Sequence, residues 1–93
     1  MEKDIRESIE RAAAVLKELG AREVYVFGSA ASGTLREGSD IDLAVSGLPS
    51  KVFFRAMGLA ADTLGRAVDL VDLDDDGPFT RYLREEGELQ RVA

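Results

Sequence analysis

Ninety-three residues, 45% of them apolar, suit one compact domain spanning 1–93 and leave no room for a second. With no cysteine and no histidine, disulfides, thiol nucleophiles, transition-metal sites built on these ligands and histidine general bases are excluded, so any chemistry falls to carboxylates and backbone amides. A net charge of −6 argues against direct binding of nucleic acid, which depends on lysine and arginine, and suits a basic protein partner or clustered cations.

No apolar run approaches the length of a membrane span, so no membrane contact is expected. The opening "MEKDIRESIE" lacks the basic-then-apolar pattern of a secretory signal. The expectation is a soluble cytoplasmic protein.

Taken in chain order, Ile5, Ile9, Ala12, Leu16 and Leu19 recur every three or four residues, which predicts an amphipathic helix closed by Gly20. "REVYVFGS" (22–29) is rich in β-branched and aromatic residues and reads as a strand that stops at Gly28, with Tyr25 as packing. About ten small and polar residues follow, a long connection for a hairpin and of the kind that often carries function. "SDIDLAVS" (39–46) alternates, with Ile41, Leu43 and Val45 on one face and Asp40, Asp42 and Ala44 on the other.

Pro49 and Ser50 introduce a second helix whose inner face is Phe53, Met57, Ala60 or Ala61, and Leu64, ending at Gly65. Gly58 weakens it. "RAVDLVDL" (66–73) predicts a third strand leading into the acidic turn "DDDGP". Pro78 suits the first turn of a short last helix through Phe79, Tyr82 and Leu83 to about Gly87. The tail "ELQRVA" reads as a short strand or as loose chain. The predicted order is α-β-β-α-β-α, without internal repeats or linkers.

Asp40 and Asp42 stand two apart, so their carboxylates share a strand face and can lean onto hard cations such as Mg²⁺, which takes oxygen ligands. Without cations they repel and one pKa rises. Upstream, Gly28 permits close backbone approach to a ligand, and the Ser29 amide and hydroxyl can donate to phosphate oxygens. Neither a Walker A ending nor a G-x-G-x-x-G fingerprint is present. Taken singly, Gly-Ser is also an ordinary strand exit, and Asp-x-Asp also a solvated strand face.

Taken together, "GSAASGTLREGSDIDLAV" closely resembles the polymerase-β-type nucleotidyltransferase pattern: Gly-Ser, a spacer of about ten residues, then Asp-x-Asp on a strand. The short, compressed layout resembles the minimal nucleotidyltransferases, known as MNT proteins, over Val24 to Leu73. The resemblance implies an α/β (α+β) fold, a small mixed sheet with helices packed mainly on one face and the carboxylate face open. It implies catalytic, metal-binding Asp40 and Asp42 with a third carboxylate from a neighbouring strand. Asp69, inside an apolar strand where an unpaired charge needs compensation, is the preferred third, and Asp72 the alternative.

The same resemblance implies two Mg²⁺ ions, with Mn²⁺ as a substitute, ATP as substrate, and Gly28 and Ser29 as nucleotide-binding residues. The chemistry implied is transfer of AMP to a hydroxyl of a partner protein, a HEPN-domain toxin for which the MNT protein is the antitoxin. The alternative is a non-catalytic antitoxin acting by steric occlusion. Transfer to an RNA end or a small-molecule hydroxyl ranks below both. Many members carry arginines in the spacer where this chain has Ala30 and Ser32, leaving Arg36 as the loop's only cation. The Phe53-Phe54 pair and the Tyr82/Leu83 face read as core or as a docking patch. A homo-oligomer remains open.

Overall fold

The computed structural model describes residues 3–93. Helix α1 (Lys3–Glu18) is followed by strand β1 (Glu23–Phe27), a short helix α2 (Gly28–Ser32), and β2 (Ile41–Ser46). A single 3₁₀ turn (Ser50–Val52) opens α3 (Phe53–Leu64), and then come β3 (Val68–Asp72), α4 (Pro78–Glu85) and β4 (Gln90–Arg91). Among the described residues no helix is long and apolar enough to cross a membrane.

The four strands form one mixed sheet in the order β3-β2-β1-β4. β1 pairs antiparallel with β2 and with β4, whereas β2 and β3 run parallel. A parallel pair cannot be joined by a tight turn, so α3 serves as the crossover between them. This is the expected small mixed sheet of an α+β nucleotidyltransferase-like fold.

Alternation along the strands separates the two faces. Val24, Val26, Ile41, Leu43, Val45, Val68 and Leu70 all point to one side, where Ile9, Ala12, Ala13 and Leu16 of α1 and Ala56 and Ala60 of α3 cover them. Burying Ile41 and Leu43 alone contributes roughly 3–6 kcal/mol, enough to fix the register of β2, because a slip by one residue would turn Asp42 into the core.

The opposite face is only partly covered. There Tyr25, Phe27, Ala44 and Val71 pack with Leu73, Leu83 and Leu89 under α4, while Asp42 and Asp69, at the other end of the same face, stay uncovered by it. The helices are therefore mainly, but not wholly, on one side.

Most sequence expectations hold, and the departures have local causes. The α2 segment "GSAAS" has no apolar periodicity, so its helix is invisible to pattern reading. On α3 the fully buried alanines are Ala56 and Ala60; Phe53, Met57, Ala61 and Leu64 pack at the margin. Gly65 takes the left-handed conformation that caps α3, its N–H bonding Ala61 O, and Pro78 occupies the first turn of α4 as expected. The tail forms β4, which Val92 and Ala93 extend by bonding the Val24 backbone. Leu83 belongs to the core under α4, whereas Phe54 and Tyr82 are exposed.

Leu43→Ala is expected to cost about 2–5 kcal/mol because it opens a cavity in the central strand. Phe54→Ala, at a side chain 83% exposed, should change stability by no more than about 0.5 kcal/mol. Urea denaturation of the two variants checks this contrast.

Candidate active site

The site is assembled by strand register. Phe27 of β1 lies opposite Asp42 of β2, and Asp42 lies opposite Asp69 of β3. Because β1 runs against β2 and β3, its C-terminal end meets their N-terminal ends at one edge of the sheet. Gly28 and the first turn of α2 are delivered there directly. Neighbouring strands sit about 4.8 Å apart, so the Asp42 and Asp69 side chains stand side by side on the partly open face.

Gly28 has φ +68°, and a Cβ placed on it would run into the Asp42 carboxylate. This is a close approach that only glycine permits. The next residue, Ser29, commits its carbonyl to α2, accepting from the Ser32 hydroxyl and the Thr34 amide. Its hydroxyl makes no hydrogen bond among the described residues. Asp40 sits one residue before β2, just outside the strand expected over 39–46, and is exposed.

Asp69 is also exposed. It therefore needs no buried partner, contrary to the expectation drawn from its apolar flanks. Val68 and Leu70 point into the core and leave Asp69 outside. Asp72 falls opposite Val45, on the other side of the sheet from Asp69, and its carboxylate accepts the Asp74 amide at 2.9 Å. Of the two alternatives, Asp69 is the one beside Asp42.

Two further carboxylates of the acidic run are engaged locally. Asp74 accepts the Gly47 amide at 2.6 Å and stands 4.0 Å from Arg84, and Asp76 stands 3.7 Å from Arg81. These contacts brace the entry to α4.

No arginine or lysine forms an ion pair with Asp40, Asp42 or Asp69 among the described residues. The Asp42 carboxyl is consequently pushed above the usual carboxylate range, first by its partial burial and then by the negative charges of Asp69 and Asp40. Among the described residues no three such groups close into a metal cage. The set is open, and Mg²⁺ is commonly bound this way, by one or two carboxylates with water and substrate phosphates completing its shell. Hard oxygen donors without a neutralising cation fit such an ion.

The resemblance sets Ala30 and Ser32 against arginines in other members. Ala30 is buried in the main core, and Ser32 bonds Thr34 across the end of α2 at 2.8 Å. Arg36 is exposed, and its carbonyl accepts from Arg66, as does that of Ser39, at 3.1 Å each. Pattern reading did not single out Arg66. Its only sequence signal is a lone arginine at the start of a predicted strand.

Residues 10–89 match the family model described as polymerase beta, nucleotidyltransferase. The chain belongs to this nucleotidyltransferase family. No curated protein sequence matches it.

Among solved structures, one assigned as a minimal nucleotidyltransferase is 29% identical with a TM-score of 0.75, covering 91% of each chain. A toxin–antitoxin structure with AMP-PNP is 25% identical with a TM-score of 0.74, covering 90% of this chain and 72% of that one. A chain from a complex of tri-AMPylated Shewanella oneidensis HEPN toxin with MNT antitoxin has a TM-score of 0.71 at 20% identity. It covers 95% of this chain and 71% of that one, and speaks for the fold alone.

Two outcomes follow from the site's electrostatics and packing. A carboxyl with a raised folded-state pKa gives stability that is fully present below its unfolded value and is lost as pH rises through the folded one. Asp42→Asn should therefore stabilise the protein at neutral pH by no more than about 1 kcal/mol, the scale left to charge pairs that solvent screens. The gain should shrink as pH falls through that window, which melting curves across pH will show. Gly28→Ala should cost at least about 1 kcal/mol through its left-handed backbone, and a further Asp42→Ala change should recover only the part due to the collision with the carboxylate. Chemical denaturation of the single and double variants measures both parts.

Proposed function

We propose that the chain is a metal-dependent nucleotidyltransferase that moves AMP from ATP onto a hydroxyl of a partner protein, and that the partner is a HEPN-type toxin it counters as an antitoxin. The observation that carries the reading is the Gly28–Asp42–Asp69 row: a backbone stripped of its side chain against one uncompensated carboxylate, with a second in register beside it. One relative supports the finer part. A toxin–antitoxin structure 25% identical to this chain contains AMP-PNP.

In this reading Asp40, Asp42 and Asp69 hold Mg²⁺, with Mn²⁺ as a substitute. When bound, the ions supply neutralisation of phosphate charge and a lowered pKa for the attacking hydroxyl. Gly28 lets the triphosphate approach the backbone, and the Ser29 amide and hydroxyl donate to its phosphate oxygens. Asp69, the more exposed of the paired carboxylates, accepts the proton of the incoming hydroxyl. The hydroxyl oxygen of the partner bonds to the α-phosphorus as the bond to pyrophosphate breaks. The described residues leave the row open, so a protein acceptor that brings its own surface suits it better than a small molecule. The domain over 1–93 acts here as a single catalytic unit.

Incubation with the protein encoded beside it, ATP labelled at the α-phosphate and Mg²⁺ should transfer label to that protein. Asn at position 40, 42 or 69 should each slow transfer by roughly 10²–10³-fold, the loss expected when several kcal/mol of charge stabilisation is removed. No transfer with any of several nucleotides, in Mg²⁺ or Mn²⁺, overturns the enzymatic reading. The exposed aromatic side chains Phe54, Phe79 and Tyr82 favour the steric alternative to the extent that they serve docking. Undiminished neutralisation by the Asp40→Asn/Asp42→Asn variant would select it.

A further inference from the structure

We infer that Arg66 is the positioning residue that sets where Asp40 stands relative to Asp69. The inference rests on the metal-binding role proposed for the three aspartates, and begins from the weak anchorage of the first of them. Asp40 is exposed, and its side chain makes no hydrogen bond or ion pair among the described residues. Its position is therefore set by its backbone alone.

That backbone is the end of an irregular connection. The connection leaves α2 through the Thr34 amide on Ser29 O and then makes one local turn, with the Ser39 amide on Arg36 O at 3.0 Å. The turn has no other backbone tie to the sheet until Ile41 enters β2, its amide bonding Ala67 O at 3.0 Å.

Arg66 closes that gap. A single guanidinium nitrogen, Nη1, donates to Arg36 O and to Ser39 O, the first and last residues of the turn, at 3.1 Å each. Arg66 forms no ion pair among the described residues, so its charge is directed at two backbone carbonyls. Hydrogen bonds from a charged donor are the stronger kind, and they matter most where few others hold the chain.

Arg66 lies three residues before Asp69, and Ala67, its neighbour, holds the first residue of β2. The turn preceding Asp40 is thereby held at two points by Arg66, and Ile41, just after Asp40, at one by Ala67. Arg66 and Ala67 lead directly into the strand that carries Asp69. The loop aspartate, whose side chain has no tether of its own, is referenced to the strand aspartate on its far side by the Ile41–Ala67 backbone bond and on its near side by the Arg66 side chain. A lysine has the charge, but its ammonium is a compact donor on a flexible stem and would span the two carbonyls less well.

The test compares wild type, Arg66→Ala and Arg66→Lys by Mn²⁺ titration followed by the paramagnetic resonance of the free ion, with melting curves alongside. Arg66→Ala should bind Mn²⁺ about tenfold or more weakly, as is usual when a residue behind a metal ligand is removed. Millimolar guanidinium should restore part of that affinity, Arg66→Lys should fall between, and amide exchange over 36–41 should quicken while melting stays cooperative.

Unchanged Mn²⁺ affinity in Arg66→Ala overturns the inference, whatever the exchange rates do. So does a loss that follows the fraction unfolded and is not relieved by guanidinium, since that marks a merely structural arginine. A wild type that binds no Mn²⁺ is a different result: it overturns the metal-site reading itself, and the inference with it.

Discussion

Two carboxylates held in register on adjacent parallel strands, with a glycine backbone pressed against one of them, are the constraint on which the rest of the structure depends. Left alone, the arrangement is unfavourable. Like charges on facing strands destabilise by up to about 1 kcal/mol, and the partial burial of Asp42 adds to the cost. It persists because the other face of the same strands buries Ile41, Leu43, Val45, Val68 and Leu70 beneath α1 and α3, and burial on that scale exceeds the repulsion several-fold.

The mixed direction of the sheet follows from the same demand. The end of β1 must arrive where β2 and β3 begin, so that Gly28 and Ser29 reach the row of aspartates. An antiparallel β1–β2 pair beside a parallel β2–β3 pair accomplishes this. The parallel pair then requires a crossover, which α3 provides. α4 covers the other end of the carboxylate face through Leu83 and Leu73, and the acidic run before it is engaged in its own turn and ion pairs. Acidity here has two separate uses: Asp72, Asp74 and Asp76 brace a turn, while Asp40, Asp42 and Asp69 face outward without a neutralising cation.

Much of this was legible in the sequence, because burial imposes periodicity. The 3.6-residue spacing of Ile9, Ala12 and Leu16, and the alternation of Ile41, Asp42, Leu43, are direct imprints of one buried face. The Gly-Ser, spacer and Asp-x-Asp order pointed to the family that the chain's match over residues 10–89 establishes. What was not legible lacks such an imprint. The small residues of α2 carry no pattern, and the burial of Ala30 depends on what packs against it. Arg66 looks like any solvated arginine until its two carbonyl partners are placed around it.

The sequence by itself determined the longer helices and the three main strands, the buried face of β2 and the set of aspartates from which a site could be drawn, since these depend on local alternation and composition. Only the tertiary structure placed Asp69, and not Asp72, beside Asp42. Strand alternation separates residues three apart onto opposite faces, but which face adjoins Asp42 depends on the pairing of β2 with β3, a contact between segments 27 positions apart in the chain. It also decided that Asp69 is exposed rather than buried, that Gly28 lies against Asp42, and that a lone arginine ties the loop to the strand. Each of these is a relation between distant residues, and no local pattern encodes it.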